Sequence, residues 1–106
     1  MAQLKSVGSI DLINGTTVVY EVSPNTPYAK LTELIIANTS ANTVSCKISI
    51  LKASTNQEVT IIPNLQLLSN QSQIITMATC LNSNDQIICT TSVPNCLDIL
   101  VSCVEM

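Results

Sequence analysis

The feature that most constrains this chain is a hydropathy period of two. Val44, Cys46, Ile48 and Ile50 alternate with Ser45, Lys47 and Ser49. Leu97, Ile99, Val101 and Cys103 alternate in the same way with Asp98, Leu100, Ser102 and Val104. Successive side chains of a strand point to opposite faces, so this pattern describes half-buried strands rather than helices. Similar stretches recur along the chain, separated by clusters of Asn, Ser, Pro and Gly that favour turns. The predicted strands run from Ser9 to Ile13, Thr16 to Val22, Tyr28 to Ala37, Thr43 to Leu51 and Glu58 to Ile62. Further strands are predicted from Ser72 to Cys80, Gln86 to Ser92 and Leu97 to Val104, with Leu65 to Leu68 a brief strand or bridging segment. Asn14-Gly15 predicts a two-residue hairpin between the first two strands, and Pro63-Asn64 is expected to end the fifth. The spacing predicts an all-β fold, an antiparallel β-sandwich or barrel of about seven to nine short strands without substantial helix. The 106 residues suit a single β domain, with Met1 to Ser6 expected as a flexible N-terminal arm.

What fills such a core is unusual. Phe and Trp are absent, and Tyr20 and Tyr28 are the only aromatic residues. The interior must therefore be built from Ile, Leu, Val, Ala and Cys, and β-branched residues among these suit a pleated surface. Charged residues make up 10% of the chain, against roughly 25% in an ordinary soluble domain. Ser, Thr, Asn and Gln replace them, so neighbouring copies can pack closely with little repulsion. Four Lys (Lys5, Lys30, Lys47 and Lys52), seven acids and no Arg give a net charge of −3. Nucleic-acid binders need a clustered basic footprint, so direct nucleic-acid binding is not expected. No apolar run approaches the ~20 residues of a membrane span. No basic start followed by an apolar run marks a signal peptide, and the product is expected to stay in the cell that makes it.

The chemistry available is narrow. Without His, most acid–base, triad and metal designs are lost. The seven carboxylates are dispersed, and Asp85 is expected to stabilise its own turn. Cys46, Cys80, Cys89, Cys96 and Cys103 form no C-x-x-C pair and have no His partner, so they are read as buried structural thiols. No catalytic, cofactor-binding or metal-ligating residue is assigned. A glycan-binding module would want aromatic platforms, and two tyrosines supply few.

The order of features is similar to a loose group of small β-rich virion proteins of tailed bacteriophages. The likeness begins at Thr17-Val18-Val19-Tyr20-Glu21-Val22, followed by a Pro-containing turn and a strand ending in Ile36-Ala37-Asn38-Thr39-Ser40. It continues through Val44 to Leu51 and through Leu68-Ser69-Asn70-Gln71-Ser72. Leu81-Asn82-Ser83-Asn84-Asp85-Gln86-Ile87 resembles that group's L-x-x-G-D-x-I turn, and Leu97-Asp98-Ile99-Leu100-Val101-Ser102 with Glu105 resembles its closing strand. Asn84 stands where Gly is usual, and Asn is one of the few residues that tolerate a left-handed backbone.

The resemblance implies a non-enzymatic virion structural protein without cofactor. First comes a capsid decoration (cement) protein that binds and stabilises the major capsid lattice. The alternatives are a neck, tail, baseplate or fibre-attachment component, and then a cellular protein- or glycan-binding β module. The implied partners are the major capsid protein or another virion protein and further copies of the chain, as a dimer or trimer. The implied location is the virion, after assembly in the host cytoplasm. Binding residues concentrate in loops. The candidate contacts are therefore Asn38, Thr39, Ser40 and Asn42; Thr55, Asn56 and Gln57; and Asn82, Asn84 and Asp85.

Overall fold

Alternation sorts the apolar side chains onto one face of each strand, and two sheets meet on those faces. A computed structural model describes residues 2–106. Its strands are β1 (Gln3–Ser9), β2 (Gly15–Glu21), β3 (Tyr28–Asn38), β4 (Val44–Lys52), β5 (Gln57–Leu67), β6 (Ser72–Asn82), β7 (Gln86–Thr91) and β8 (Leu97–Glu105). One sheet has the order β1-β8-β3-β6 and the other β2-β7-β4-β5. Every pairing is antiparallel, and no helix occurs among the described residues. The two sheets remain separate, so the all-β fold is a sandwich rather than a closed barrel. Only the β4–β5 hairpin stays within one sheet; every other connection crosses between sheets. First strand beside last, with this order, is the double-sheet jelly roll.

The interior is almost entirely aliphatic. Leu31, Leu34 and Ile36 of β3 and Ile99 and Val101 of β8 are buried on one sheet. Val44, Cys46, Ile48 and Ile50 of β4 and Ile87 and Cys89 of β7 are buried on the other. Each such side chain contributes about 1.5–3 kcal/mol by leaving water. Truncating a central one, as in Leu34→Ala, would cost about 2–5 kcal/mol because a cavity remains. The bare alternation of β4 and β8 is thus a direct record of which face is inside.

Four sequence expectations need correction. Asn14-Gly15 does not close a hairpin, because β1 and β2 belong to different sheets. Residues 10–14 instead carry the chain across the sandwich, pinned where Leu12 N–H donates to the Leu97 carbonyl at 3.0 Å. Leu12 is itself buried, which explains the strand-like look of this segment, and Gly15 supplies the positive φ of 106° the crossing needs. Second, Gln3 to Ser6 are not a free arm: Gln3 pairs with Glu105 and Ser6 with Ser102. Met1 lies outside the described residues. Third, Pro63 does not end a strand. β5 runs through it, because β5 is an edge strand and its register against β4 shifts between Cys46 and Ser49. An edge strand with such irregularities tolerates a residue lacking an N–H. Fourth, Cys46, Cys89 and Cys103 are buried, but Cys96 is half-buried and Cys80 exposed.

Candidate interaction surfaces

The candidate contact residues fall at the two ends of the sandwich. Asn38, Thr39, Ser40 and Asn42 lie in the β3–β4 connection. Thr55, Asn56 and Gln57 lie where β4 turns into β5, and Asn82, Asn84 and Asp85 where β6 turns into β7. Tyr28, at the far end of β3 from Asn38, pairs with Asn82, which puts the β6–β7 turn at the opposite end from Asn38. The structure therefore brings the second and third groups together and leaves the first apart.

Asp85 does the joining. Its carboxylate accepts from Lys52 Nζ at 2.5 Å, Ala53 N at 2.9 Å and Asn82 N at 2.9 Å. Burial pushes this carboxyl up, but the bonds from Lys52, Asn82 and Ala53 outweigh burial and hold it below the usual carboxylate range. Asn84 sits beside it in the left-handed region at φ 68°. Its N–H donates to the Val22 carbonyl at 2.9 Å, and Val22 N–H donates to the Asp85 carbonyl at 2.9 Å. Asn56, also left-handed at φ 55°, shapes the neighbouring turn. Thr55, Asn56, Gln57, Asn82 and Asn84 are exposed around this end.

At the other end Asn38 plays the equivalent part. Its Nδ2 donates to the carbonyls of Asn42 at 2.7 Å, Leu67 at 3.0 Å and Leu68 at 3.1 Å. Its Oδ1 accepts from Ser40 N at 3.0 Å and Ser40 Oγ at 2.8 Å. Thr39 and Asn42 are exposed and Ser40 half-buried. Asn38 is 2% exposed and Asp85 1%. Both are therefore withdrawn as partner contacts: each is saturated by its own chain and tethers one loop to another.

The surface that loop-based reasoning misses is the outer face of the β1–β8–β3–β6 sheet. Register places four cross-sheet rows on it. Leu4, Val104, Lys30 and Cys80 form one row, and Ser6, Ser102, Glu33 and Thr76 the next. Gly8, Leu100, Ile35 and Ile74 form the third, and Asp98, Ala37 and Ser72 the last. Leu4 is 89% exposed, Ile74 60% and Leu100 40%. The outer face of the second sheet is more polar: Ser45, Lys47, Thr90 and Thr60 line it, and Lys47 pairs with Glu58 at 3.3 Å. Its exposed apolar side chains, such as Val18, lie on the edge strands. The signal was present in the sequence. Leu100 and Val104 occupy the nominally polar register of β8, and Leu34-Ile35-Ile36 is apolar on both faces.

A third cluster closes the edge between the sheets. Tyr20 Oη donates to Glu105 Oε2 at 2.5 Å. Lys5 Nζ lies 3.3 Å from the same oxygen and 5.9 Å from the centre of the Tyr20 ring. The Tyr20 bond and then Lys5 hold the Glu105 carboxyl below its usual range. Burial, with the bond to Glu105, pushes the Tyr20 phenol up. No group of three or more metal-ligating side chains forms among the described residues.

No family model matches the chain, and no curated protein matches it in sequence. Solved structures share its fold. A chain in the acid-stable capsid of the Helicobacter pylori bacteriophage KHP30 superposes with a TM-score of 0.61 at 11% identity, over 99% of this chain and 87% of that one. A Bacillus endospore appendage, a disulfide-linked pilus, gives 0.57 at 6% identity over 100% and 87%. The infectious bursal virus T=1 particle gives 0.58 at 8% identity, over 99% of this chain but 32% of that one. At such identities the likeness is one of fold.

Proposed function

We propose that this chain is a single-domain, non-enzymatic structural protein of a bacteriophage virion. In this reading it is a capsid decoration protein that binds the major capsid protein as a homo-oligomer and stabilises its lattice. The observation that carries the reading is the match to the KHP30 capsid over nearly the whole of both chains. A capsid chain only slightly longer than this one fits an added module, and jelly rolls recur in viral capsids. The resemblance of the short motifs to phage virion proteins supports the same class.

The low charge and the apolar outer sheet face suit a subunit that packs among others. Its action is mechanical. A protein that binds only the assembled lattice stabilises that state by mass action, and repeated contacts from a symmetric oligomer add avidity. No cofactor is needed, and the protein would reach its place in the virion after assembly in the host cytoplasm.

Cryo-electron microscopy of intact particles tests this directly. The expected density is the jelly roll repeated across the capsid surface. One ring at a single vertex would move the protein to the neck, tail, baseplate or fibre attachment. Its absence from purified particles would remove the virion reading and leave a cellular protein- or glycan-binding module.

A further inference from the structure

The two long sides of the sandwich are finished differently. Where β1 meets β2, the Tyr20–Glu105–Lys5 cluster closes the gap between the sheets. Along the other side run β5 and β6, the terminal strands of their sheets, joined through residues 68–71. Here the core itself comes to the surface. Val59, Ile62 and Leu65 stand opposite the buried Ile50, Ile48 and Cys46, and Ile75 stands opposite the buried Leu34. They share the inward register of those partners. Val59 is nonetheless 46% exposed, and Ile62, Leu65, Ile75 and Met77 are only half-buried against the core. The chain supplies the inner wall of this strip and leaves its outer side uncovered.

The backbone edge points the same way. Edge strands ordinarily carry charges or Pro that discourage pairing with another chain. β1 has Lys5, β2 has Glu21, and β5 has Glu58 and Pro63. β6 has neither a charge nor a Pro over its 11 residues.

We infer that the β5–β6 side is an isologous interface between two copies of the chain, related by a two-fold axis normal to the sheets. Such an axis lays β6 antiparallel beside its mate. Each sheet then continues into that of the second copy, and the two open cores become one. With the axis through the strand midpoints, Ile62 and Met77 meet their own counterparts.

Size and charge both select a second copy as the occupant. Strands of 11 residues at about 3.3 Å each, in two layers each about 10 Å thick, give a side of roughly 700 Å² per copy. The total falls within the ~1,200–2,000 Å² of a stable complex. Glu58 is the one charged residue on the two strands, and it already pairs with Lys47. Antiparallel pairing about Ile62 sets its two copies about 26 Å apart. Charges on the adjoining β3 and β4 stay at least three strand spacings, about 14 Å, from their mates. That exceeds the ~8 Å Debye length at physiological salt. The inference rests on the homo-oligomer part of the proposed function and on no particular place in a virion.

Sedimentation velocity on the purified Cys80→Ser chain, over about 1–100 μM, should reveal reversible dimers. Met77→Lys and Val59→Lys should each weaken association at least tenfold, with thermal melting to show that both stay folded. Amides of β5 and β6, open in the monomer, should exchange more slowly as concentration rises, while those of β1 and β2 keep their rates. A Met77→Cys chain in the Cys80→Ser background should cross-link to itself under mild oxidant. A Val18→Cys chain, altered on the edge strand of the opposite side, should not.

A dimer that keeps its affinity in both variants and its fast exchange in β6 overturns this side and leaves the homo-oligomer standing. Monomers at every concentration overturn both. If β6 exchange then slows only when capsid protein is added, the side belongs to that partner instead. The first two results are separate from whether the protein is found in particles.

Discussion

Asp85 and Asn38 are polar side chains buried by the chain and saturated by its own loops. A buried carboxylate among three donors cannot lose its charge cheaply. Asp85→Asn keeps the shape but replaces one carboxylate oxygen with an NH₂ group, which must face either the Ala53 N–H or the Lys52 ammonium and Asn82 N–H. It is expected to lower stability by about 2–3 kcal/mol at pH 7, read by urea unfolding. The folded-state pKa values of Asp85 and Glu105 lie below their ordinary ones. Their stabilisation is therefore complete above the unfolded values near 4 and is lost as pH falls through the folded ones. Tyr20 is shifted the other way, so its contribution holds below about 10 and fades as pH rises beyond that. The bond with Cys46 and burial also push the Cys89 thiol up, so a stability plateau from about pH 4 to the unfolded thiol range near 8.5 follows. The Asp85→Asn deficit should shrink below pH 4 as the wild-type carboxyl protonates. A deficit constant down to pH 2 would contradict the charge argument.

Strand edges explain most differences between sequence and structure at the level of elements. β5 and β6 are both edge strands, and most of their side chains are exposed. Amide exchange of the monomer should therefore be fastest there and slowest in β3, β4, β7 and β8, which are paired on both sides. Cys80 lies on the outward register of β6. A thiol reagent should label it first, Cys96 more slowly, and Cys46, Cys89 and Cys103 only on unfolding; fast labelling of Cys103 would contradict the packing. The strands themselves were legible because alternation in β4 and β8 records burial, and because Asn and Pro mark turns such as Asn84's. Pairing was not legible. The partner of Lys5 is Cys103, and no local pattern announces a neighbour so distant in sequence. Of the candidate contacts, the sequence located the loops but could not tell exposed Asn84 from buried Asp85 beside it. That distinction depends on Lys52 and Ala53 arriving from another turn.

At the scale of the molecule, the two sheets present unlike exteriors, one with an apolar row from Leu100 to Ile74 and the other with Ser45, Thr60, Thr90 and the Lys47–Glu58 pair around Ile88 and Leu51. A subunit with one adhesive side and one wettable side suits a surface layer. In the decoration reading, particles lacking the protein should release their genome at lower temperature than complete ones, measured by dye access to the nucleic acid. Equal release temperatures would sink the stabilising role.

The pairing of β1 with β8 also governs how the chain matures. Synthesis proceeds at roughly 5–20 residues per second, so the opening strand waits on the order of 5–20 s before its mate emerges from the ribosome. Until then Leu4 and Val7 have no sheet to join, and the central β3 lacks one neighbour. The fold cannot be completed co-translationally by accretion from the front. Closure waits on β8, as non-local β topologies tend to fold slowly, and loss of β8 would leave β1 stranded as well.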